Sequence, residues 1–210
     1  MSAPSPHPFF ARIYTRLSAA AERSGAAEHR DRLLDGLSGE VVEIGAGNGL
    51  NFSHYPTTVA KVTAIEPEPY LRRRAEKAAA DAPVDIAVLD GSADRIPLSY
   101  ESVDAGVASL VLCSVPDQSA TLAELYRVIR PGGELRFYEH VLAANERWAN
   151  WQRRADPIWT RLAGGCHLTR ATADAITAAG FDIDDCDDFV FSASVCDRLA
   201  ARHILGRARR

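Results

Sequence analysis

The segment Glu43-Ile-Gly45-Ala-Gly47-Asn-Gly49, with Asn51 just beyond it, suits close approach of a ligand to the main chain. Glycine has no Cβ, so backbone N–H groups there can come within contact distance of a bound molecule. The spacing is GxGxG. A dinucleotide fingerprint needs GxGxxG, and Leu50 fills the place of its third glycine, where close helix–strand packing wants no side chain. The sequence also lacks the GxxxxGK(S/T) pattern of a phosphate-binding loop. Glu43 adds negative charge beside the glycines, which repels a pyrophosphate and suits an ammonium or a sulfonium. Glu66, followed by Pro67, ends a second apolar run, where a carboxylate can accept both hydroxyls of a ribose. Asp90-Gly91-Ser92 ends a third, placed to receive an adenine amino group and leave its face uncovered. Each acid has a plainer role too: Glu66 as a charge at a helix start, Asp90-Gly91 as a turn. Together, after consecutive strands, they line the carboxyl edge where open α/β sheets bind ligands.

Proton-transfer groups are fewer. His140 follows the fifth apolar run at that same edge and is the first candidate base; His167, beside Cys166, is the second. His54 is expected exposed, on a helix after the glycine loop. The four cysteines, at 113, 166, 186 and 196, form no CxxC and no Cys/His ligand spacing. No metal site and no disulfide scaffold is therefore expected, and reduced thiols in a cytoplasmic protein are the default. Each reads as a small buried hydrophobe, with Cys113 placed to line a pocket. Tyr14 is placed to close over the bound ligand, and Trp148, Trp151 and Trp159 to form an apolar lid or to pack as core.

Alternation of strands and helices must position these groups. Helical spacing of Phe10, Ile13, Tyr14, Leu17 and Ala20 or Ala21 predicts a helix over 9–27, and a second is expected over 29–37. Strands follow at 40–44, 61–65, 84–89, 103–108 and 134–138, as buried runs without clean alternation. Between them come a helix opening at Pro67 and running through 70–80, and one over 118–129 stopped by Pro131-Gly132-Gly133. Later helices are expected over 146–162, interrupted by Pro157, and over 169–179; strands at 181–191 and 202–208 would close the sheet. The pattern predicts an α/β, Rossmann-like, doubly wound and mostly parallel seven-stranded sheet with helices on both faces. It is one domain: cap helices over 1–37, the main body over 38–210, and a lid-like insertion at about 141–168.

Composition agrees with that class. At 47% apolar and 25% charged residues, the chain is neither disordered nor fibrous. Its longest near-apolar run, 105–115, is too short for a bilayer, which takes about 20 residues. Residues 1–8 read as a disordered leader with no signal-peptide pattern. A net charge of −4 argues against a nucleic-acid partner, and Arg207, Arg209 and Arg210 read as a solvated terminus.

These motifs resemble the class I S-adenosylmethionine-dependent methyltransferases. Glu43 to Gly49 is similar to their first motif, Glu66 to the second and Asp90 to Ser92 to the third; Leu125-Tyr-Arg-Val-Ile-Arg-Pro-Gly-Gly133 is similar to the post-sheet signature. Ser109-Leu-Val-Leu-Cys-Ser-Val115, Tyr138-Glu-His-Val141, the tryptophan-rich segment and Gly165-Cys-His-Leu-Thr-Arg170 resemble the methyltransferase-like 7 subgroup, whose members methylate small alkyl thiols. Those animal members begin with a hydrophobic membrane anchor, and none is expected from this sequence. The resemblance implies S-adenosyl-L-methionine as cofactor, held by Tyr14, Glu43, Gly45, Gly47, Gly49, Asn51, Glu66, Pro67, Asp90, Gly91, Ser92, Ser109 and Leu110, and a small apolar acceptor, a thiol first. Alternatives are carbon or oxygen methylation of a quinone-like or polyketide-like molecule, and a non-catalytic scaffold that kept the fold.

Overall fold

Apolar runs bounded by glycine and proline become strands here, and the amphipathic stretches between them become helices. A computed structural model describes residues 8–193 and 195–210. The expected leader, apart from Pro8, and the side chain of Cys196 lie outside what is described. In chain order the elements are α1 (Pro8–Ala21), a π-helical turn (Glu22–Ala26), α2 (Ala27–Leu34), β1 (Gly39–Ile44), a 3-10 turn (Phe52–His54), β2 (Val59–Ile65) and α3 (Pro69–Ala79). Then come β3 (Ile86–Leu89), β4 (Val103–Ser109), α4 (Gln118–Val128), β5 (Ile129–His140), α5 (Glu146–Leu162), α6 (Thr172–Ala178), β6 (Asp182–Val190), a 3-10 turn (Val195–Ala200) and β7 (Arg202–Arg209).

The strands form a seven-stranded sheet in the order β3-β2-β1-β4-β5-β7-β6. β1 to β5 pair in parallel, and β7 runs antiparallel between β5 and β6. Successive side chains leave a strand on opposite faces. Val42, Ile44, Leu135 and Phe137 therefore pack with Leu122 and Leu125 of α4 and Ile176 of α6. Val41, Val62 and Tyr138 pack on the other face with Leu33 and Leu34 of α2 and Ala75 of α3. The fold is the expected doubly wound α/β sheet, covered on both faces. Strand order reverses direction between β1 and β4, and the tips of those two strands open the crevice in which such sheets take ligands. Among the described residues no helix is long and apolar enough to cross a membrane.

Several local expectations are corrected. The first helix does not run to residue 27: Gly25, at φ +113°, breaks it and lets α2 turn onto the sheet. No α-helix follows the glycine loop; one 3-10 turn carrying His54 fills the short crossover, and His54 is half-buried against Asp31 at 2.6 Å. Pro69, not Pro67, opens α3, and the Glu68 carboxylate caps it by accepting the Leu71 N–H at 2.8 Å. Helix α5 passes through Pro157; the carbonyl left without a partner belongs to exposed Arg153, which water can satisfy. Pro131-Gly132-Gly133 is not a helix stop but an irregularity inside β5, where pairing jumps from Val103↔Ile129 to Ala105↔Glu134. The basic end is not a solvated tail. β7 buries Ile204, Leu205 and Ala208, Arg209 pairs with Asp184 of β6 at 2.8 Å, and Arg210 lies over the Tyr126 ring beside Glu101. Asp184 belongs to the row of aspartates that keeps the edge strand β6 polar.

A Cβ on Gly133 would stand 2.5 Å from the Asp104 carbonyl oxygen, whereas one on Gly132, at φ +79°, would meet nothing within 4 Å. Gly132→Ala should therefore cost only the left-handed backbone, about 1–2 kcal/mol. Gly133→Ala should cost more, about 1–3 kcal/mol from overpacking plus displacement of the bulge. Thermal unfolding of the two variants checks that order.

Candidate active site

The crevice is built on carboxylates at strand tips. Glu66 is buried at the end of β2, and its oxygens accept the Gly47 N–H at 2.7 Å and the Glu68 N–H at 2.8 Å. The loop amides thus point at the protein's own acid, and the expectation that they aim at a ligand fails for Gly47. Gly45 and Gly49 have positive φ, +60° and +81°; a Cβ would stand 2.3 Å from Val111 at the first and 2.9 Å from Ala78 and Phe52 at the second. Gly47, at φ +58°, faces the Tyr14 ring of α1, 3.4 Å from where its Cβ would be. Tyr14 is thereby brought over the loop, as expected.

Glu43 does not stand free in the crevice. It is buried, accepting the Tyr55 hydroxyl at 2.7 Å and the Asn51 amide at 2.9 Å. Asn51 in turn accepts from Arg30 at 2.6 Å, and Arg30 also reaches Glu22 at 2.8 Å and the Ser109 hydroxyl at 3.3 Å. This buried guanidinium was missed in the sequence, because an arginine within a short polar helix looks like any solvated charge. Burial pushes the carboxyls of Glu43 and Glu66 up to about 7, against the lowering hydrogen bonds each receives. Across the crevice, Leu110 takes φ +56° at the tip of β4 and donates to the Tyr138 carbonyl at 2.7 Å. A non-glycine residue held there marks a constrained position.

Asp90 stands at the tip of β3, its side chain 72% exposed and paired with Arg72 at 3.0 Å. Arg72, also missed in the sequence, donates to the carbonyls of Glu66 and Pro67 and so ties the β2 and β3 tips together. Pro67 is exposed; Gly91 lies against Ile65; the Ser92 hydroxyl is turned onto Asp94.

Two histidines part company. His140, at the end of β5, lies with Nδ1 3.6 Å from the Cys113 sulfur and 3.7 Å from the Cys166 sulfur, and the two sulfurs are 3.7 Å apart. The expectation of no metal site rested on the lack of CxxC and of Cys/His ligand spacing along the chain; the fold nonetheless brings one ligand atom of each of these three residues within 4.8 Å of the others. Within the thiol pair, the hydrogen bond between them draws the Cys166 pKa down and pushes that of Cys113 up. Glu139 was missed as well. Fully buried, it accepts the N–H groups of Val111, Leu112 and Cys113 at 3.0, 2.8 and 3.1 Å, and burial pushes its carboxyl up to about 7. His167 points elsewhere, to Asp156 of α5 at 2.9 Å, while its N–H donates to the Cys113 carbonyl. It clasps a loop and does not face the crevice acids. Trp148 and Trp151 are 52% and 57% exposed on the outer face of α5, so they form no lid as placed; Trp159 turns inward, its buried indole N–H facing the Cys166 sulfur.

Residues 42–137 match the family model described as methyltransferase domain. The chain is 38% identical over 154 residues to human thiol S-methyltransferase TMT1B, covering 70% of this chain and 63% of that one. It is 35% identical over 178 residues to human thiol S-methyltransferase TMT1A, covering 82% and 72%. The fold also matches a SAM-dependent methyltransferase of Thermotoga maritima, with TM-score 0.71 and 20% identity over 95% of this chain and 96% of that one. The chain belongs to the class I S-adenosylmethionine-dependent methyltransferases. Within them it falls in the subgroup of the thiol S-methyltransferases, and S-adenosyl-L-methionine is its cofactor. It spans about 63% of the TMT1B relative's length.

The methyltransferase's own residues fit that cofactor. Positive charge is favoured near acids, and Glu43 and Glu66 are both buried beside the loop whose Gly47 lies against Tyr14. The sign of the pH dependence follows. Glu66 holds its proton up to about 7, whereas an unfolded carboxyl ionises near 4.5. Protonation thus favours the ligand-free fold within that window, and its contribution is lost as pH rises through 7. Hydroxyl donors and positive charge on a ligand both prefer the ionised acid, so cofactor affinity should rise up to about tenfold per pH unit toward 7 and then level off. Glu68, Arg72, Tyr14 and Glu43 face the same acid and set where the plateau begins. Glu66→Gln should flatten the profile and weaken binding by about 1.5–3 kcal/mol, read by titration calorimetry across pH.

Proposed function

We propose that this methyltransferase transfers a methyl group from S-adenosyl-L-methionine to the sulfur of a small apolar thiol. One observation carries the reading: an acidic cofactor crevice adjoins an edge formed by His140, Cys113 and Cys166, in a chain whose relatives are named for acting on thiols. The bound cofactor supplies an electrophilic methyl on a good leaving group. The chain must therefore align the acceptor and exclude water, and alignment alone can be worth about 7–11 kcal/mol.

In this reading Glu66 accepts the ribose hydroxyls, and Asp90, Gly91 and Ser92 border the adenine. Gly45, Gly47, Gly49 and Pro67 shape the backbone around the nucleoside, and Leu110 borders it from β4. Arg30, held by Glu22 and touching Asn51 and Ser109, is the cation suited to the cofactor's carboxylate, with Glu43 as the nearby acid. Tyr14 closes the crevice to solvent. The helices before residue 38 act as a cap, and the 141–168 segment borders the acceptor side. His140 is the titratable group at the acceptor edge; His167 keeps the 163–168 loop in place through Asp156. We place the protein in the cytoplasm, where the free thiols of Cys113 and Cys166 stay reduced, and its partner is a small molecule, not nucleic acid.

Incubation of the protein and cofactor with matched alkyl thiols, phenols, amines and quinols, followed by mass analysis, tests the reading. Thiols should emerge heavier by one methylene and the others unchanged. A methylated phenol or quinol as the main product would move the acceptor to oxygen or carbon.

A further inference from the structure

We infer that Cys113, His140 and Cys166 form a zinc site with an open fourth position, and that this position takes the acceptor's sulfur as a thiolate. The inference rests on the methyltransferase reading above and deepens it.

Geometry carries the argument. A tetrahedral zinc ion, about 2.3 Å from sulfur and 2.0–2.1 Å from nitrogen, sets sulfur–sulfur edges of about 3.8 Å and sulfur–nitrogen edges of about 3.6 Å. The observed separations are 3.7 Å between the sulfurs and 3.6 and 3.7 Å from each to His140 Nδ1. All three edges of one tetrahedral face are thus already in place, formed by two thiols and an imidazole. Among the described residues no fourth histidine, cysteine or carboxylate shares the group. Three protein ligands and one open position is the arrangement of catalytic zinc, whereas structural zinc is closed by four.

The ligands come from three segments, each held by its own anchor. Cys113 sits in the turn whose three N–H groups Glu139 accepts. His140 ends β5, in register with His203 of β7. Cys166 follows Gly165, which has φ +92° and leaves only 2.9 Å between its would-be Cβ and the Ser114 carbonyl oxygen. The loop is then fixed by the His167 N–H on the Cys113 carbonyl, at 2.8 Å, and by Asp156 on the Leu168 N–H, at 2.6 Å. Both sulfurs are buried, and the buried indole N–H of Trp159 faces the Cys166 sulfur. Tyr14, which lies on Gly47, is also coupled electrostatically to Cys113, so one side chain spans cofactor loop and cluster.

The chemistry balances without another reagent. A thiol on zinc loses its proton to solvent, since coordination favours the thiolate outright. Its sulfur lone pair forms the bond to the methyl carbon. The bond between that carbon and the sulfonium breaks, and its electron pair stays on the leaving thioether. The methylated acceptor is uncharged, a weaker ligand than a thiolate, and leaves the position open.

The test uses the full chain, kept reduced by a phosphine and loaded with Zn²⁺ or Co²⁺. Zinc should bind at one equivalent per chain, and Cys113→Ser, Cys166→Ser and His140→Ala should each weaken binding by at least about tenfold. The wild-type cobalt form should show a sulfur-to-cobalt charge-transfer band that grows with ethanethiol and not with ethyl methyl sulfide; this readout needs no variant to fold. Failure of the reduced wild type to take up either metal would overturn the site, as would variants of undiminished affinity or a cobalt spectrum indifferent to ethanethiol. Thiol methylation at full rate by chelator-treated, metal-free protein would overturn it too, while leaving the methyltransferase reading intact. Absence of calorimetric heat with S-adenosyl-L-methionine would instead sink that reading, and the inference with it.

Discussion

Removing carboxylates from water at the tips of β-strands is the constraint around which this molecule is arranged. Glu43, Glu66 and Glu139 are buried at the ends of β1, β2 and β5, and each would be strongly disfavoured there without donors. The donors differ, and that difference assigns the acids to different work. Glu66 takes main-chain N–H groups from the glycine loop and the start of α3. Glu43 takes side chains, Tyr55 and Asn51, the latter backed by Arg30. Glu139 takes three consecutive N–H groups of the turn after β4. A half-satisfied network of this kind costs more than an apolar core, so each acid fixes the geometry of what it binds.

That explains why the crevice is rigid on its protein side yet acidic toward a ligand. The glycine loop cannot drift, because Gly45 and Gly49 pack where no side chain fits and Gly47 is tied to Glu66. The β4 turn cannot drift either, because Leu110 is held in a left-handed conformation between the Tyr138 carbonyl and the amides that Glu139 grips. One acid thus holds the glycine loop and another the turn after β4. The buried Arg30 joins α2 to the tips of β1 and β4, linking the N-terminal helices to the site.

The acceptor side departs from what helical spacing of aromatics suggests. Trp148 and Trp151 share the outer face of α5 with Ile158 and Leu162, all exposed, while the inner face contributes Gln152, Asp156 and Trp159. Asp156 and Gln152 bind backbone groups of neighbouring loops, so α5 acts first as a clasp. In the proposed reading the side chains at the acceptor edge are two thiols and an imidazole in a largely buried setting.

Local covalent rules sufficed to place much of this. Three glycines after an apolar run permit positive φ and close approach of the backbone, and acids that end successive buried strands of a parallel sheet must meet at its carboxyl edge; both follow from spacing along a few residues. Spacing could not reveal that β7 inserts antiparallel between β5 and β6, where its Ile204, Leu205 and Ala208 are buried and its arginines meet aspartates of β6. Nor could it reveal that Arg30 reaches Asn51, or that Cys113, His140 and Cys166 converge from a turn, a strand end and a glycine-bent loop. Such meetings are set by packing between segments far apart in the chain, and a side chain's sequence neighbours carry no record of which distant group will be folded against it.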